Sequence, residues 1–395
     1  DLSFDLDLDV DVLAAATGLT ITEHTVINVR VLDGAEWSAV NQASFVIEGT
    51  EPASTDNTVI SEIHYNPSDP GAYEFIEFRN IADYPVDLSG VVVSAAVDFT
   101  VPAGVVLNPG EHAVIVEDEA AFLSRYDEAG SPWSYPGIRV AGEWTGSLKN
   151  STEAIAVTAA DLVTDISTFS YDDGGAWPGR ADGRGSSIEL ELDVPIPTGS
   201  PLETTLFLGN GNKWRPSSEF HGSPGRDGSG PDNRIVVNEV LANSPLPTTD
   251  SVELLNTTGS AIQIGGWLVS DSGEDYAKYT FPAATTIAAG GFLVLDESDF
   301  NVGLKPFALS GSEGDDVILV ETDSGGNLLG FVDSVEFEAS AEGEAFGRWP
   351  DGSGRLYPMT VTTFGSPNAG AGNSVRNGPV VISEIHYNPD GADDG

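Results

Sequence analysis

The chain has no cysteine in its 395 residues, which excludes a disulfide framework and any thiolate zinc site. Basic residues are scarce: 16 Lys and Arg stand against 62 Asp and Glu, for a formal net charge of -46. The charge is spread along the whole length, so its field repels phosphate backbones and anionic lipid surfaces. Neither nucleic acid nor a membrane surface is expected as a partner. A diffuse acidic surface also suits a protein that must stay soluble in saline surroundings. Long apolar runs are missing as well. No segment approaches the length of a membrane span, and the N-terminus lacks the basic-then-apolar layout of a secretory signal. The chain opens on Asp1, and residues 381 to 389 repeat residues 59 to 67, VISEIHYNP, six residues before the last. The expectation is a piece of a longer polypeptide whose targeting signals lie elsewhere.

What is present reads as strands. Between turn signals such as Asn66-Pro67, Pro109-Gly110 and Gly265-Gly266, apolar residues come in short runs that alternate with polar ones. Alternation puts Val59, Ser61, Ile63 and Tyr65 on one face of a strand and Ile60, Glu62, His64 and Asn66 on the other. Further runs lie at 75–78, 91–93, 113–116, 293–295 and 317–320. Only residues 119 to 126 carry a helical stripe, formed by Phe122, Leu123 and Tyr126. With 45 Gly and 24 Pro as punctuation, the fold class is all-β, with tandem sandwiches joined by short linkers.

The repeat organises the chain. Val236-Val237-Asn238-Glu239-Val240 stands where Val59-Ile60-Ser61-Glu62-Ile63 stood, and the order then holds. Glu77 and Asn80 answer to Glu253 and Asn256, Leu88-Ser89-Gly90-Val91 to Ile264-Gly265-Gly266-Trp267, and Phe99-Thr100-Val101-Pro102 to Tyr279-Thr280-Phe281-Pro282. Trp177-Pro178 with Asp182-Gly183-Arg184-Gly185 matches Trp349-Pro350 with Asp351-Gly352-Ser353-Gly354. Gly222-Ser223-Pro224-Gly225 matches Gly365-Ser366-Pro367-Asn368. The expected divisions are the end of a small β-domain at 1–50, a first sandwich at 57–225, a flexible linker at 226–233, a second sandwich at 234–370, a linker at 371–379, and the first strand of a truncated third copy at 380–395.

These anchors, Ile60-Ser61-Glu62-Ile63, Glu74-Phe75-Ile76-Glu77-Phe78-Arg79-Asn80, Asp87-Leu88-Ser89-Gly90 and Leu107-Asn108-Pro109-Gly110-Glu111, resemble the lamin tail domain. The resemblance implies an immunoglobulin-like β-sandwich, known from nuclear lamins and from secreted bacterial proteins. Residues 19 to 47 resemble the end of a β-domain found at the C-terminus of chitobiase-like secreted enzymes. Similar strings of modules follow a spore-coat-protein-H-like kinase domain in large bacterial surface proteins, and none of that kinase is present. The resemblance implies an extracellular or cell-surface bacterial protein, with flanking domains of the same chain as its neighbours.

No residue is assigned a catalytic, cofactor-binding or metal-ligating role. His24, His64, His112, His221 and His386 are scattered, and a nucleophile elbow, a zinc-binding HExxH and a P-loop are all absent. His64 and His386 share one repeat position on a polar strand face and read as structural. Gly209-Asn210-Gly211 reads as a turn. Glu62 with Glu77, and Glu239 with Glu253, could chelate a hard cation or share a proton, or could be solvated strand residues with Arg79 as partner. Asp5, Asp7, Asp9 and Asp11 alternate with apolar residues and could hold calcium weakly, though they do not form an EF-hand. Trp177 and Trp349, which recur at one repeat position, read as packing residues rather than as the stacking platforms that Trp267 and the others could form, while Trp133, Trp144 and Trp214, peculiar to the first copy, are where a polysaccharide would stack. The expected function is a non-catalytic spacer and interaction module engaging protein or polysaccharide at a cell surface. The alternative is a carbohydrate-binding or calcium-dependent module.

Overall fold

The computed structural model describes residues 25–29, 32–33, 36–37, 41–45, 49–69, 71–370 and 372–376. Asp5, Asp7, Asp9, Asp11, His24, His386 and the second VISEIHYNP lie outside them. The chain divides into two compact units, Asp1–Gly230 and Pro231–Gly395. Near the start, Thr25–Val29 pairs antiparallel with Asn41–Phe45, and Leu32–Asp33 with Glu36–Trp37.

In the first unit a six-stranded sheet runs in the order Val140–Glu143, His112–Val116, Phe75–Asn80, Thr58–His64, Ile188–Leu190, Trp214–Pro216. A four-stranded sheet of Phe99–Thr100, Val92–Ser94, Glu153–Thr158 and Asp165–Tyr171 completes the sandwich. One apolar core draws on both sheets, with Ile60, Ile63, Phe78 and Ile115 from the larger and Val93, Ile155, Val157 and Phe169 from the smaller. The helix Glu119–Tyr126, capped by Asp118, falls where the stripe predicts. It packs Phe122 and Tyr126 with Phe75, Val114 and Val116 into a separate apolar cluster. The large sheet is therefore covered on both faces, and polar residues on the helix side are dry.

The second unit repeats this with a five-stranded sheet, Phe292–Asp296, Ser251–Asn256, Ile235–Leu241, Phe346–Trp349, Arg355–Pro358, and a four-stranded sheet, Tyr279–Thr280, Leu268–Ser270, Gly314–Thr322, Leu328–Glu338. Its core is its own, built around Val237, Val240, Leu254, Trp267, Val269, Val317 and Leu319. Both units are all-β sandwiches with few, short helices. Asn80 and Asn256 hold equivalent posts: each side-chain amide donates to two carbonyls, Tyr84 and Leu107 in one unit, Ser260 and Ile287 in the other.

Strict alternation fails at one place in each first strand. A β-bulge interrupts the ladder between Ile60 and Glu62, and again between Val237 and Glu239, so Ser61 and Asn238 are extra residues. Ile60 and Ile63 thus both reach the core. Ser61 joins the glutamate face instead, donating from Oγ to Glu77 Oε1 at 2.6 Å. The repeat register also needs correction. Ile188–Leu190 occupies the sheet position of Phe346–Trp349, so the Trp-Pro and Asp-Gly motifs precede that strand in the first unit, whereas in the second Trp349 ends it and Asp351-Gly352 follows.

Candidate functional site

The bulges aim two glutamates from neighbouring strands at each other. Glu62 is opposite Glu77 in the first unit and Glu239 opposite Glu253 in the second. All four are buried, at 1% exposure or less, so the solvated reading does not hold. Nor does Arg79 serve them, since its guanidinium pairs with Asp227 at 3.0 Å.

Their partners come from a strap that closes each unit. In the first, the Ser223 amide donates to Glu62 Oε1 (2.8 Å) and the Gly225 amide to Glu77 Oε2 (2.6 Å). In the second, the Thr363 amide donates to Glu239 Oε1 (2.8 Å) and the Gly365 amide to Glu253 Oε2 (2.5 Å). Position by position, Ser223 therefore corresponds to Thr363 and Gly225 to Gly365. The shared Gly-Ser-Pro letters suggested a register three residues away. Hydroxyls and amides complete the shell: Ser187 Oγ donates to Glu62 Oε1, and Asn238 Nδ2 to Glu253 Oε1 at 3.0 Å.

A third group differs between the units. In the first it is Glu189, 4% exposed, held by Arg215 Nε (2.9 Å) and Ser223 Oγ (2.7 Å). In the second the strand position of Glu189 belongs to Gly347, which pairs with Glu239 as Glu189 pairs with Glu62. The space is taken by the Asn368 amide, against which a Cβ on Gly347 would come within 2.9 Å. Neither Glu189 nor Asn368 was singled out by sequence, because only the strand pairing brings them to the pair.

Electrostatics follow from burial. Burial, then repulsion from Glu77 and Glu189, raises Glu62 well above the ordinary carboxyl range. Burial pushes Glu77 up to about 8 and Glu239 up to about 7, and raises Glu189 and Glu253 as well. Glu62, Glu77, Glu189, His112, Arg215 and Asp227 border a polar cleft of about 250 Å³. As a cation site the cluster is poor: each oxygen of the Glu62, Glu77, Glu239 and Glu253 carboxyls is already hydrogen-bonded to its own chain. Among the described residues no group of three or more His, Asp or Glu is placed to hold a metal ion.

The other expected positions resolve differently. His64 is buried against Phe75, 1% exposed, and so does not lie on a solvated face. Burial and the nearby Arg125 lower it far below the ordinary imidazole range. His221, also buried, sits edge-on to Trp133 with Arg125 at its Nδ1. Trp144 and Trp214 are core residues, 5% and 4% exposed. Trp214 stacks between Phe169 and Trp177 and donates from Nε1 to the Leu208 carbonyl. Neither offers a face to a sugar ring. The stretch expected as a flexible linker is tied down as far as Gly230: Asp227 to Arg79, the Gly228 carbonyl to Arg215, the Ser229 amide to Glu219, and the Gly230 carbonyl to the Ser218 hydroxyl.

No curated protein matches the chain. The family model described as Lamin Tail Domain matches it twice, over residues 51–171 and 229–339. These matches take in more than half of the sequence and the bulged first strands of both units, and the chain belongs to the lamin tail domain family, a non-catalytic family of immunoglobulin-like sandwiches, in two tandem copies.

Proposed function

We propose that the two lamin tail units act as non-catalytic spacer and interaction modules of a large extracellular or cell-surface bacterial protein. The observation that supports this reading is that each unit closes over its own polar cluster. The glutamates that could have served a substrate or cation are capped by the unit's own strap. Two of the three tryptophans that could have served a glycan are core. A stiff sandwich whose exit segment is pinned as far as Gly230 sets a spacing better than a freely jointed chain would. The acidic surface keeps such an array soluble and apart from anionic polymers.

Pulling the full chain in a single-molecule force experiment should give two separate unfolding events. Co-sedimentation with chitin and with cellulose, run with calcium and with chelator, should show no retention. Saturable retention on either polymer would replace the spacer reading with a binding module.

A further inference from the structure

We propose that each lamin tail unit stores one proton on its first-strand glutamate, Glu62 in the first unit and Glu239 in the second, and that losing this proton releases the strap that closes the unit. The assignment follows from counting hydroxyl hydrogens. A hydroxyl has one hydrogen to donate. In the second unit Thr363 Oγ1 lies 2.9 Å from Glu239 Oε2 and 2.8 Å from Asn368 Oδ1. Asn368 is oriented by its own Nδ2, which donates to the carbonyls of Asn238 and Arg348, so its Oδ1 is an acceptor. Thr363 must then donate to Asn368, and although its amide also reaches Glu239 Oε2, at 3.0 Å, the hydroxyl's own 2.9 Å contact with that oxygen is attractive only if the carboxyl donates. The first unit repeats the pattern with other residues. Ser223 Oγ lies 2.7 Å from Glu189 Oε1 and 3.3 Å from Glu62 Oε2. Arg215 on its other oxygen keeps Glu189 the anionic acceptor, which leaves Glu62 as the donor.

The surrounding charges favour that proton. Glu239 faces Glu253 from the second strand and Asp351 from the turn after Trp349. Arg348, on the adjacent strand, is taken up by Asp333 and the carbonyls of Val237 and Gly354. Glu62 faces Glu77 and Glu189 on its own sheet and Tyr126 on the helix. Beyond them, Asp227 and Glu219 press on Glu77 and Glu189, Arg79 pairs with Asp227, and His112 Nε2 lies 3.7 Å from Glu77 Oε1. Without the proton, Glu239 would turn a bare anion on both Glu253 and the Thr363 lone pairs. The strap is the movable part, because Thr363 and Gly365, like Ser223 and Gly225, belong to no strand and reach the sheet through the glutamates, whereas the strands are held by ladders.

The test uses the full chain and two readouts. Carbon-detected titration of the carboxyls should find Glu239 changing near pH 7, far from the ordinary 4.5. Hydrogen exchange at the Thr363 amide should show the linkage. Between pH 4.5 and 7, opening that releases a proton grows about tenfold per pH unit on top of the base-catalysed rise, so the logarithm of the rate climbs with a slope of about two, falling to about one above pH 7. Glu239→Gln is the control, since its Oε1 accepts from the Thr363 amide and its Nε2 donates to Thr363 Oγ1 as the protonated acid does. It should restore a slope of about one throughout. A Glu239 carboxyl that titrates near 4.5, or a wild-type slope of about one across the window, overturns the proposal; the wild-type titration decides it even if the glutamine variant does not fold.

Discussion

Gly225 and Gly365 show how one residue can carry different weight in two copies of a fold. Both donate an amide to the second-strand glutamate from a left-handed backbone, at φ +85° and +79°. A Cβ at Gly365 would meet nothing within 4 Å, whereas one at Gly225 would come 2.9 Å from Ile138. Alanine at either position must hold the left-handed conformation at a cost of about 1–2 kcal/mol. At Gly225, overpacking against Ile138 adds roughly 1–3 kcal/mol. Urea denaturation should therefore show Gly225→Ala lowering the first unit's midpoint more than Gly365→Ala lowers the second's; equal shifts would mean that Ile138 moves aside freely. Glu77→Ala should be worse than the Gly365 change and comparable to the Gly225 one. It leaves the Gly225 amide and the Ser61 hydroxyl without a buried acceptor, a loss of about 2–5 kcal/mol by the same measurement. The recurrence of Glu62 and Glu77 as Glu239 and Glu253 was legible in the sequence. Their burial was not, because hydropathy reads a glutamate as solvated, and the one-residue bulge that turns Ser61 inward leaves no periodic trace.

At the scale of elements, each four-stranded sheet ends on a strand whose outer edge needs protection. The first unit covers Asp165–Tyr171 with the helix Pro201–Leu208, and Thr205 Oγ1 accepts from the Thr168 amide at 3.4 Å. The second unit has no such helix among its described residues. Leu328–Glu338 is longer, carries two register shifts against its partner, and exposes Ser334, Glu336 and Glu338. Bulges and like charges do there what the helix does in the first unit. Replacing both Glu336 and Glu338 by Val should therefore produce concentration-dependent self-association in sedimentation velocity. The matched change Thr168→Val with Ser170→Val, at exposed positions of the strand whose edge the helix covers, should leave the chain monomeric; association of both variants alike would deny the helix its covering role. In the helix, Leu208 is fully buried while Leu206 is largely exposed. Leu208→Ala should cost about 2–5 kcal/mol and Leu206→Lys within about 0.5 kcal/mol, both read from the first unit's denaturation. Strands and the helix at Glu119–Tyr126 were legible because their apolar periods differ, alternation for the strands and the stripe of Phe122, Leu123 and Tyr126 for the helix. This second helix went unread because it lies in the stretch the second copy lacks, where repeat comparison has nothing to say.

For the whole molecule, the two units share a fold and a buried carboxyl pair but differ in histidine, and that difference separates their response to pH. Carboxyls raised above their ordinary value contribute stability that is full below pH 4.5 and lost as pH rises through the raised value. Glu62, Glu74, Glu77 and Glu189 in the first unit, and Glu239 and Glu253 in the second, all act in this sense. Histidines lowered by burial act oppositely: they contribute stability above pH 6.5 that is lost as pH falls, because only the unfolded chain takes up the proton. His64, His112 and His221 are of this kind, and all lie in the first unit. The described residues of the second unit contain no histidine. From pH 4.5 to 6.5 the two groups oppose each other in the first unit, while in the second the carboxyls act alone. Calorimetry at a series of pH values should then show one transition falling steadily from pH 4.5 to 7 and another whose fall is shallower up to about 6.5, where three histidines oppose the carboxyls, and steepens above it. Leu208→Ala should move only the transition that steepens near pH 6.5 and so assign it to the first unit. The general repulsion from a net charge of -46 lowers both transitions as pH rises and is relieved by salt, whereas the buried groups are screened little. The separation between the two transitions should therefore survive at high ionic strength. Two transitions that track each other at every pH and salt would mean that the buried histidines and carboxyls titrate as though they were exposed.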